Sequence, residues 1–240
     1  MKASPVQSEA KLLLEQGRSH LNSADEAPAL GFFQRSLALL ELESDSPLKA
    51  DILNTLGLTS YRRGSIEVAV DYFERARAMA ENVGDVQLIG MTEHNLGFMH
   101  FRRGRFEASI PHFKRAEAIL GGGHNARFLP LTAHFAARAH ERLGEHDRAM
   151  ELYNRAVELL ADGANPRERA KVYANMARLH RSYGRHRDAF RSFAEAMSEV
   201  RAAGPWGGKQ IAMEATLQAL RVGRPLEAVR FGVHLLSRKT

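Results

Sequence analysis

Histidines recur at a fixed spacing and are the residues whose type most directly suggests metal chemistry. His100, His140 and His180 lie 40 residues apart, and His94 and His134 repeat the same interval. If each belongs to one helical repeat, neighbouring imidazoles are separated by roughly 8–10 Å, too far to share an ion without further ligands. There is no cysteine, and no Asp or Glu cluster completes a tetrahedral set. We therefore expect no metal and no other cofactor, and we expect His100, His140 and His180 to pack between paired helices.

Two short segments begin like catalytic motifs but lack residues that the chemistry requires. His140-Glu141 starts a zinc-protease pattern, yet Gly144 stands where the second histidine would be needed. The segment 204–210 (GPWGGKQ) has glycines and a lysine but neither the glycine spacing nor the Ser/Thr of a phosphate-binding loop. No nucleophile, base and metal can be assembled from the spacing, so the sequence predicts that the protein is not an enzyme.

The elements that must position these side chains follow a repeat with a period of 40 residues. One register holds small residues inside helical patterns: Gly17, Gly57, Gly97, Ala137 and Ala177. A second register marks tight turns: Ala24, Gly64, Gly104, Gly144 and Gly184. Two further registers hold small residues (Ala29, Ala69, Ser109, Ala149 and Ala189) and aromatic residues (Phe33, Phe73, Phe113, Tyr153 and Phe193).

Each register has a physical reason in a pair of antiparallel helices. Two helices joined by a short turn approach closely only where side chains are small, which accounts for the Gly/Ala register. The aromatic register is expected to fill the space between one pair and the next. Apolar residues between turn and aromatic recur with helical spacing, and no stretch alternates with period two. The sequence therefore predicts an all-α chain of stacked helix pairs without strands.

The order of these residues resembles the tetratricopeptide repeat (TPR). In one copy, Leu56-Gly57 precedes the turn at Gly64, and Ala69 and Phe73 follow. The resemblance covers nearly the whole chain and implies a right-handed superhelical solenoid of about five helix pairs plus a degenerate C-terminal capping pair. The closing proline of the family is absent, and the period exceeds the usual 34 residues. Longer repeats of this kind are similar to those of kinesin light chain, of bacterial peptide-pheromone receptors and of large bacterial transcription regulators.

Turn and breaker residues predict where the repeats begin and end. We expect one solenoid over residues 1–240, with repeats at approximately 8–44, 46–84, 85–122, 125–163 and 165–203 and a C-terminal cap at 206–238. Asp85 and Asn165-Pro166 are expected to begin helices, because Asp and Asn cap N-termini and proline suits the first turn. Residues 121–123 (Gly-Gly-Gly) are expected to form a flexible joint.

The resemblance implies that first helices line the concave side of a solenoid. At five such positions in each of the first five repeats, nine basic residues stand against two acidic ones, a surplus close to the whole net charge of +6. Aromatic residues and histidines are interleaved with them. The candidate partner-binding residues are Arg18, Asn54, Leu58, Tyr61, Arg62, His94, Phe98, Phe101, Arg102, His134, Arg138, Arg142, Lys171, Arg178 and Arg181.

An arginine-rich groove with aromatic faces suits an acidic peptide or protein segment, because guanidinium groups bind carboxylates bidentately and aromatic anchors supply desolvated area. A second interpretation stays open. Arg62, Arg102 and Arg142 stand near the ends of first helices, where a cation complements the helix dipole whatever the protein does. The aromatic candidates are equally compatible with packing between repeats.

Composition excludes several classes of protein. Of 240 residues, 44% are hydrophobic and 26% charged, which is typical of a folded soluble chain. No apolar stretch approaches the roughly 18 residues of a membrane span, so no membrane partner is expected. The absence of cysteine agrees with a cytoplasmic location.

The leading hypothesis is therefore a cytoplasmic protein–protein interaction module with an acidic protein or peptide as its partner. The first alternative is a regulatory sensor whose superhelix changes curvature when a peptide or partner domain binds, as the resemblance to pheromone receptors implies. Nucleic-acid binding is the least favoured, because only the basic net charge supports it and no reading motif is present. Homo-oligomers could form through the C-terminal pair around Trp206.

Overall fold

The computed structural model describes residues 4–23, 25–122, 128–161, 165–204 and 208–236. These residues form helices and no strand, which confirms the all-α prediction. In chain order the helices are α1 (Pro5–Asn22), α2 (Glu26–Leu39), α3 (Pro47–Arg62), α4 (Ile66–Val83), α5 (Val86–Arg102), α6 (Phe106–Leu120), α7 (Leu129–Arg142), α8 (His146–Leu159), α9 (Pro166–Ser182), α10 (His186–Ala202), α11 (Lys209–Arg221) and α12 (Pro225–Leu236). Consecutive helices pack as pairs, five from α1 to α10 and a further C-terminal pair formed by α11 and α12, as predicted.

Side chains that cap the first helices explain where several pairs begin. Asp85 accepts a hydrogen bond from the backbone N–H of Leu88 at 3.0 Å, and Asn165 accepts one from the N–H of Glu168 at 3.2 Å. Pro166 follows in the first turn of α9, where its missing N–H costs no helical hydrogen bond. Both predicted helix starts are therefore confirmed.

A glycine with a left-handed backbone ends the first helix of four pairs. Gly64, Gly104, Gly144 and Gly184 have φ between 71° and 84°, a region that residues with a Cβ rarely adopt. The turn register is thus confirmed for these four pairs. Ala24, its member in the first pair, lies outside the described residues. In the sixth pair the turn glycine is Gly223, one residue earlier than the period requires.

The chain divides into two compact units, residues 1–128 (unit 1) and 129–240 (unit 2). The predicted glycine joint at residues 121–123 ends a few residues before this division, and Gly123 lies outside the described residues. The bounds of the repeats and their organisation as one solenoid over residues 1–240 stay predictions.

In unit 1 the aromatic register packs directly on the glycine register. The ring of Phe73 in α4 lies so close to Gly57 in α3 that a Cβ atom there would come within 2.6 Å of it. Phe73 also joins a buried cluster with Leu96 and Met99 of α5. The close approach at Gly57 is as predicted. The aromatic residue, however, packs within its own pair as well as between pairs.

In unit 2 alanine replaces glycine in the small-residue register. Ala177 of α9 and Phe193 of α10 belong to one buried cluster that continues to Ala212 and Ala215 of α11 and Phe231 of α12. Side chains of the first helices α7, α9 and α11 together line the surface described next.

Candidate functional site

In unit 1, two predicted binding residues make polar bonds between consecutive first helices. Arg18 of α1 donates to both carboxylate oxygens of Asp51 in α3, each at 2.8 Å. The amide of Asn95 in α5 donates to the side-chain oxygen of Asn54 in α3 at 2.8 Å, and Asn54 is buried. These two residues join neighbouring repeats, and their role in partner binding stays a prediction.

Three other candidates form an aromatic patch on unit 1. Tyr61 of α3 and Phe98 of α5 meet edge to face, with ring centroids 5.3 Å apart. The guanidinium of Arg102 lies 5.5 Å from the Tyr61 centroid and 6.0 Å from that of Phe98, within cation–π range. Leu58, one turn before Tyr61 on the same helix, is 40% exposed. Tyr61, Phe98 and Arg102 are thus brought together, and we call them the aromatic patch.

The remaining candidates of unit 1 are separate from this patch in character. Arg62 is exposed at the last residue of α3, where its charge complements the helix dipole. Phe101 is buried and meets Phe106 of α6 with centroids 5.4 Å apart. His94 is buried near the ring of Phe113, and burial lowers its pKa to about 4. Phe101 and His94 contribute to packing, and their binding role stays a prediction.

Unit 2 gathers four of the candidates around one cleft of about 320 Å³ between α7, α9 and α11. We call it the basic cleft. Its polar lining consists of His134, Arg138, Lys171, Asn175, Arg178 and Gln210. Three of these residues carry a positive charge. Ala174, Gly208 and Ile211 complete the walls.

Hydrogen bonds hold the inner side chains of the basic cleft in place. Arg178 donates to the side-chain oxygen of Asn175 at 2.8 Å, and the Asn175 amide lies 2.8 Å from Nε2 of His134. Because that amide donates, Nε2 is the accepting nitrogen of a neutral imidazole. Burial first, and then the charges of Arg138 and Lys171, lower the pKa of His134 to about 3. The cleft therefore combines cations with a neutral histidine.

Two acidic residues supply counter-charge on this surface: Glu168 pairs with Lys171 at 2.6 Å, and Glu214 of the sixth pair contacts two arginines. Glu214 of α11 accepts two hydrogen bonds from Arg178, both at 2.9 Å, and lies 3.6 Å from Arg181. Burial alone would raise the pKa of Glu214, but hydrogen bonds from Arg178 and Gln210 and the nearby arginine charges lower it below its ordinary value. The charge count from the sequence missed Glu214 because it covered the first five repeats only.

A second cleft of about 470 Å³ lies on the other side of Arg178. We call it the arginine cleft; its lining is Arg178, Arg181, Ser182, Leu217, Gln218 and Arg221. Arg178 thus borders both clefts. Arg142, the remaining candidate, is exposed at the C-terminal end of α7, and its binding role stays a prediction.

The histidines at the 40-residue spacing do not form a ligand set. His100 of α5 stacks on His112 of the paired helix α6, with ring centroids 5.1 Å apart, as predicted for packing between paired helices. Within the described residues, no three His, Cys, Asp or Glu side chains are placed to hold one metal ion. In that same part of the chain, every helix is too short or too polar to cross a bilayer.

Antiparallel helix pairs that repeat small, turn and aromatic residues at a fixed period define a helical-repeat scaffold for protein interaction. The sequence model of the tetratricopeptide repeat matches residues 8–82 and 88–162, more than half of the chain. The chain belongs to the tetratricopeptide repeat family. No curated protein matches its sequence.

Solved structures show the same fold at low sequence identity. Aspartyl phosphate phosphatase F from Bacillus subtilis is similar with a TM-score of 0.68 and 17% identity over 99% of this chain and 62% of its own. The apo form of RapI is similar with a TM-score of 0.75 and 12% identity, over 96% of this chain and 64% of its own. TPR-like repeats of a Podosopora anserina kinesin light chain are similar with a TM-score of 0.65 and 17% identity, over 86% of this chain and 100% of that structure. The chain spans less than two thirds of the length of the first two proteins.

Proposed function

We propose that the protein is an interaction module whose basic cleft in unit 2 binds an acidic segment of a partner protein. The observation that carries the proposal is the convergence of Arg138, Lys171 and Arg178 on one cleft. Arg181 and Arg221 extend the positive surface into the arginine cleft. Glu214 and Glu168, which pairs with Lys171 at 2.6 Å, offset part of this charge, and the five cations still outnumber these two carboxylates.

The chemistry of the basic cleft matches a peptide that carries carboxylates. Guanidinium groups bind carboxylates through two parallel hydrogen bonds, and the lysine ammonium adds a compact point charge with three donors. The amides of Asn175 and Gln210 supply both donors and acceptors, which a peptide backbone requires. A volume of about 320 Å³ accommodates a few residues of an extended segment rather than a large ligand.

Charge reversal inside the cleft tests this function. The variant Arg138→Glu/Lys171→Glu should bind Asp/Glu-rich synthetic peptides more than about tenfold more weakly than the unmodified chain, because two attractive contacts become repulsive. Arg187→Glu/Arg191→Glu is the matched control, since it makes the same charge change on the exposed side of α10. Calorimetric titration gives the affinities, and circular dichroism verifies the fold.

Arg178 is unsuitable for that test, because its replacement removes the bidentate partner of Glu214 on another helix. Lys171→Glu also breaks an ion pair, with Glu168 on its own helix, and the control breaks the equivalent i,i+3 pair of Arg191 with Asp188. Equal affinities of the cleft variant and the control variant for the acidic peptides would exclude the proposed function. Binding that survives high salt unchanged would also count against it, because exposed charge pairs are screened.

The alternatives from the sequence remain open to experiment. A regulatory sensor requires that the bound peptide changes the shape of the chain, so scattering curves that coincide with and without the acidic peptide would exclude it. Nucleic-acid binding requires that labelled single- or double-stranded oligonucleotides bind at low salt, with affinity that falls as salt rises.

A further inference from the structure

Helix α11 of unit 2 exposes a row of apolar side chains. Met213, Leu217 and Leu220 follow one another at i, i+4 and i+7 on α11 and are 50%, 59% and 55% exposed. We call these three residues the α11 stripe. Apolar residues at this helical spacing occupy one face of the helix, so the three lie in a row along it.

The equivalent face of α9, the first helix of the preceding pair, shows what kind of element this face contacts. The turn glycines Gly184 and Gly223 are 39 residues apart, so the α11 positions correspond to Ala174, Arg178 and Arg181 of α9. Ala174 is 1% exposed, whereas Met213 at the same place is half exposed. Arg178 and Arg181 both contact Glu214 on the next first helix. In α9 this face therefore packs against a following helix.

The equivalent face of α3 in unit 1 also contacts the following first helix. Asn54 of α3 is the equivalent of Met213, and it is buried and hydrogen-bonded to Asn95 on the following first helix α5. Tyr61 of α3, the equivalent of Leu220, meets Phe98 of α5. The two end positions of the α11 stripe thus correspond to side chains that contact a further first helix elsewhere in the chain. The middle position, Leu217, corresponds to Leu58 of α3, which is 40% exposed.

Two properties of the stripe specify its occupant. Apolar side chains that are at least half exposed and lie in one row suit the apolar face of a helix. Leu217 lines the arginine cleft together with Arg178, Arg181 and Arg221, and Glu214 pairs with the first two of these arginines. An occupant with carboxylates beside its apolar face is therefore complementary in charge.

We propose that the α11 stripe docks an amphipathic α-helix of a partner protein, with apolar residues at i, i+4 and i+7 and Asp or Glu beside them. The docked helix occupies the place that α11 itself occupies on α9. It also borders the arginine cleft, which Leu217 and Arg221 line. A second copy of this chain fits less well, because two facing stripes would bring the arginines of both copies together.

The test uses synthetic helical peptides as probes. One peptide carries leucines at i, i+4 and i+7 with glutamates beside them, a second has lysines in place of the glutamates, and a third distributes the same leucines around the helix. The glutamate peptide should bind in calorimetric titration, and the other two should bind more than about tenfold more weakly. Equal binding of all three would overturn the proposal.

Variants locate the binding surface. Leu217→Glu/Leu220→Glu should weaken binding of the glutamate peptide more than about tenfold, because apolar contacts become repulsive. Leu217→Ala/Leu220→Ala gives a milder loss and keeps the test valid if the first variant folds poorly. Leu42→Glu is the control, because Leu42 is fully exposed in unit 1. Unchanged affinity of both stripe variants would contradict docking at α11.

Two further measurements separate this site from its alternatives. The basic-cleft variant Arg138→Glu/Lys171→Glu should bind the glutamate helix normally, so the stripe proposal can fail or succeed independently of the proposed function. Sedimentation equilibrium should give a monomer. A dimer that the Leu217→Glu/Leu220→Glu change dissociates would identify a second copy as the occupant and overturn the proposal.

Discussion

Arg178 of α9 and Glu214 of α11 form a bidentate ion pair with both N–O distances at 2.9 Å. The Glu214 side chain is only 12% exposed, so its charge depends on this partner. Because Arg178 also borders both clefts, a partner that binds there meets an arginine whose geometry is already fixed. The pair therefore connects the packing of two repeats with the surface proposed to bind partners.

Removal of the Glu214 charge should destabilise the fold. We expect Glu214→Gln to lower the free energy of unfolding by about 1–3 kcal/mol, because a half-buried arginine loses its charged acceptor. Asp188→Asn breaks the exposed ion pair with Arg191 and should change the free energy of unfolding by less than about 0.5 kcal/mol. Urea denaturation followed by circular dichroism measures both. Equal losses would show that the Arg178–Glu214 pair adds no stability beyond an ordinary surface pair.

Two glycine-to-alanine substitutions should change the free energy of unfolding in opposite directions. Gly57→Ala places a Cβ 2.6 Å from the ring of Phe73 and should cost about 1–3 kcal/mol of unfolding free energy. Gly31→Ala in α2 meets no atom within 4 Å and should stabilise the chain by up to about 1 kcal/mol, since alanine favours helix over glycine. Thermal unfolding of the two variants compares them. A stabilising Gly57→Ala would mean that the ring of Phe73 moves aside easily.

Buried histidines should make stability depend on pH in the mildly acidic range. Burial lowers the pKa of His94 to about 4 and that of His134 to about 3, from an ordinary value of 6.5. Below pH 6.5 the unfolded chain therefore binds protons that the folded chain does not, and stability falls as pH falls. The slope should reach about 1.4 kcal/mol per pH unit for each histidine.

The replacement His134→Asn tests whether buried His134 causes part of this pH dependence. It should reduce the pH dependence between 6.5 and 4 in urea titrations. In the unmodified chain, the NMR shifts of the His134 ring should stay constant down to about pH 5. A His134 ring that titrates near pH 6.5 would contradict the prediction.

Glu93 should contribute a separate loss of stability at lower pH. This buried carboxylate of α5 lies 2.7 Å from the His112 ring and 2.9 Å from Arg115, with Arg77 at 3.5 Å. Burial raises its pKa, but the hydrogen bond to His112 and the charges of His112, Arg115 and Arg77 outweigh burial, so the pKa lies below the ordinary 4.5. The stability that Glu93 supplies is complete above pH 4.5 and is lost as pH falls below that value.

Glu93→Gln isolates this contribution. The variant should be less stable than the unmodified chain at pH 7 and should lose less stability on acidification below pH 4.5. Stability measured by urea denaturation at several pH values gives both results. Glu117→Gln, on the half-exposed surface of α6, serves as the control. Parallel pH curves for the Glu93→Gln variant and the unmodified chain would contradict the assignment.

The backbone was largely predictable from the sequence, because the repeat constrains it at every period. A turn glycine such as Gly64 and a cap such as Asp85 act locally, so their residue type indicates their conformation. The candidate site was less predictable. Asn54 and Arg138 lie on the same face of their helices, yet Asn54 bonds to a neighbouring helix while Arg138 lines a cleft. That difference depends on which residue the next first helix places opposite, as Glu214 does for Arg178.

The polar bonds between consecutive first helices differ at every junction described. An arginine meets an aspartate between α1 and α3, and two asparagines meet between α3 and α5. An asparagine meets a histidine between α7 and α9, and an arginine meets a glutamate between α9 and α11. Repeats with identical contacts can be shuffled or duplicated without penalty, whereas these would lose their matching partners. An engineered permutation of these repeats would therefore have to transplant each pair of partners together.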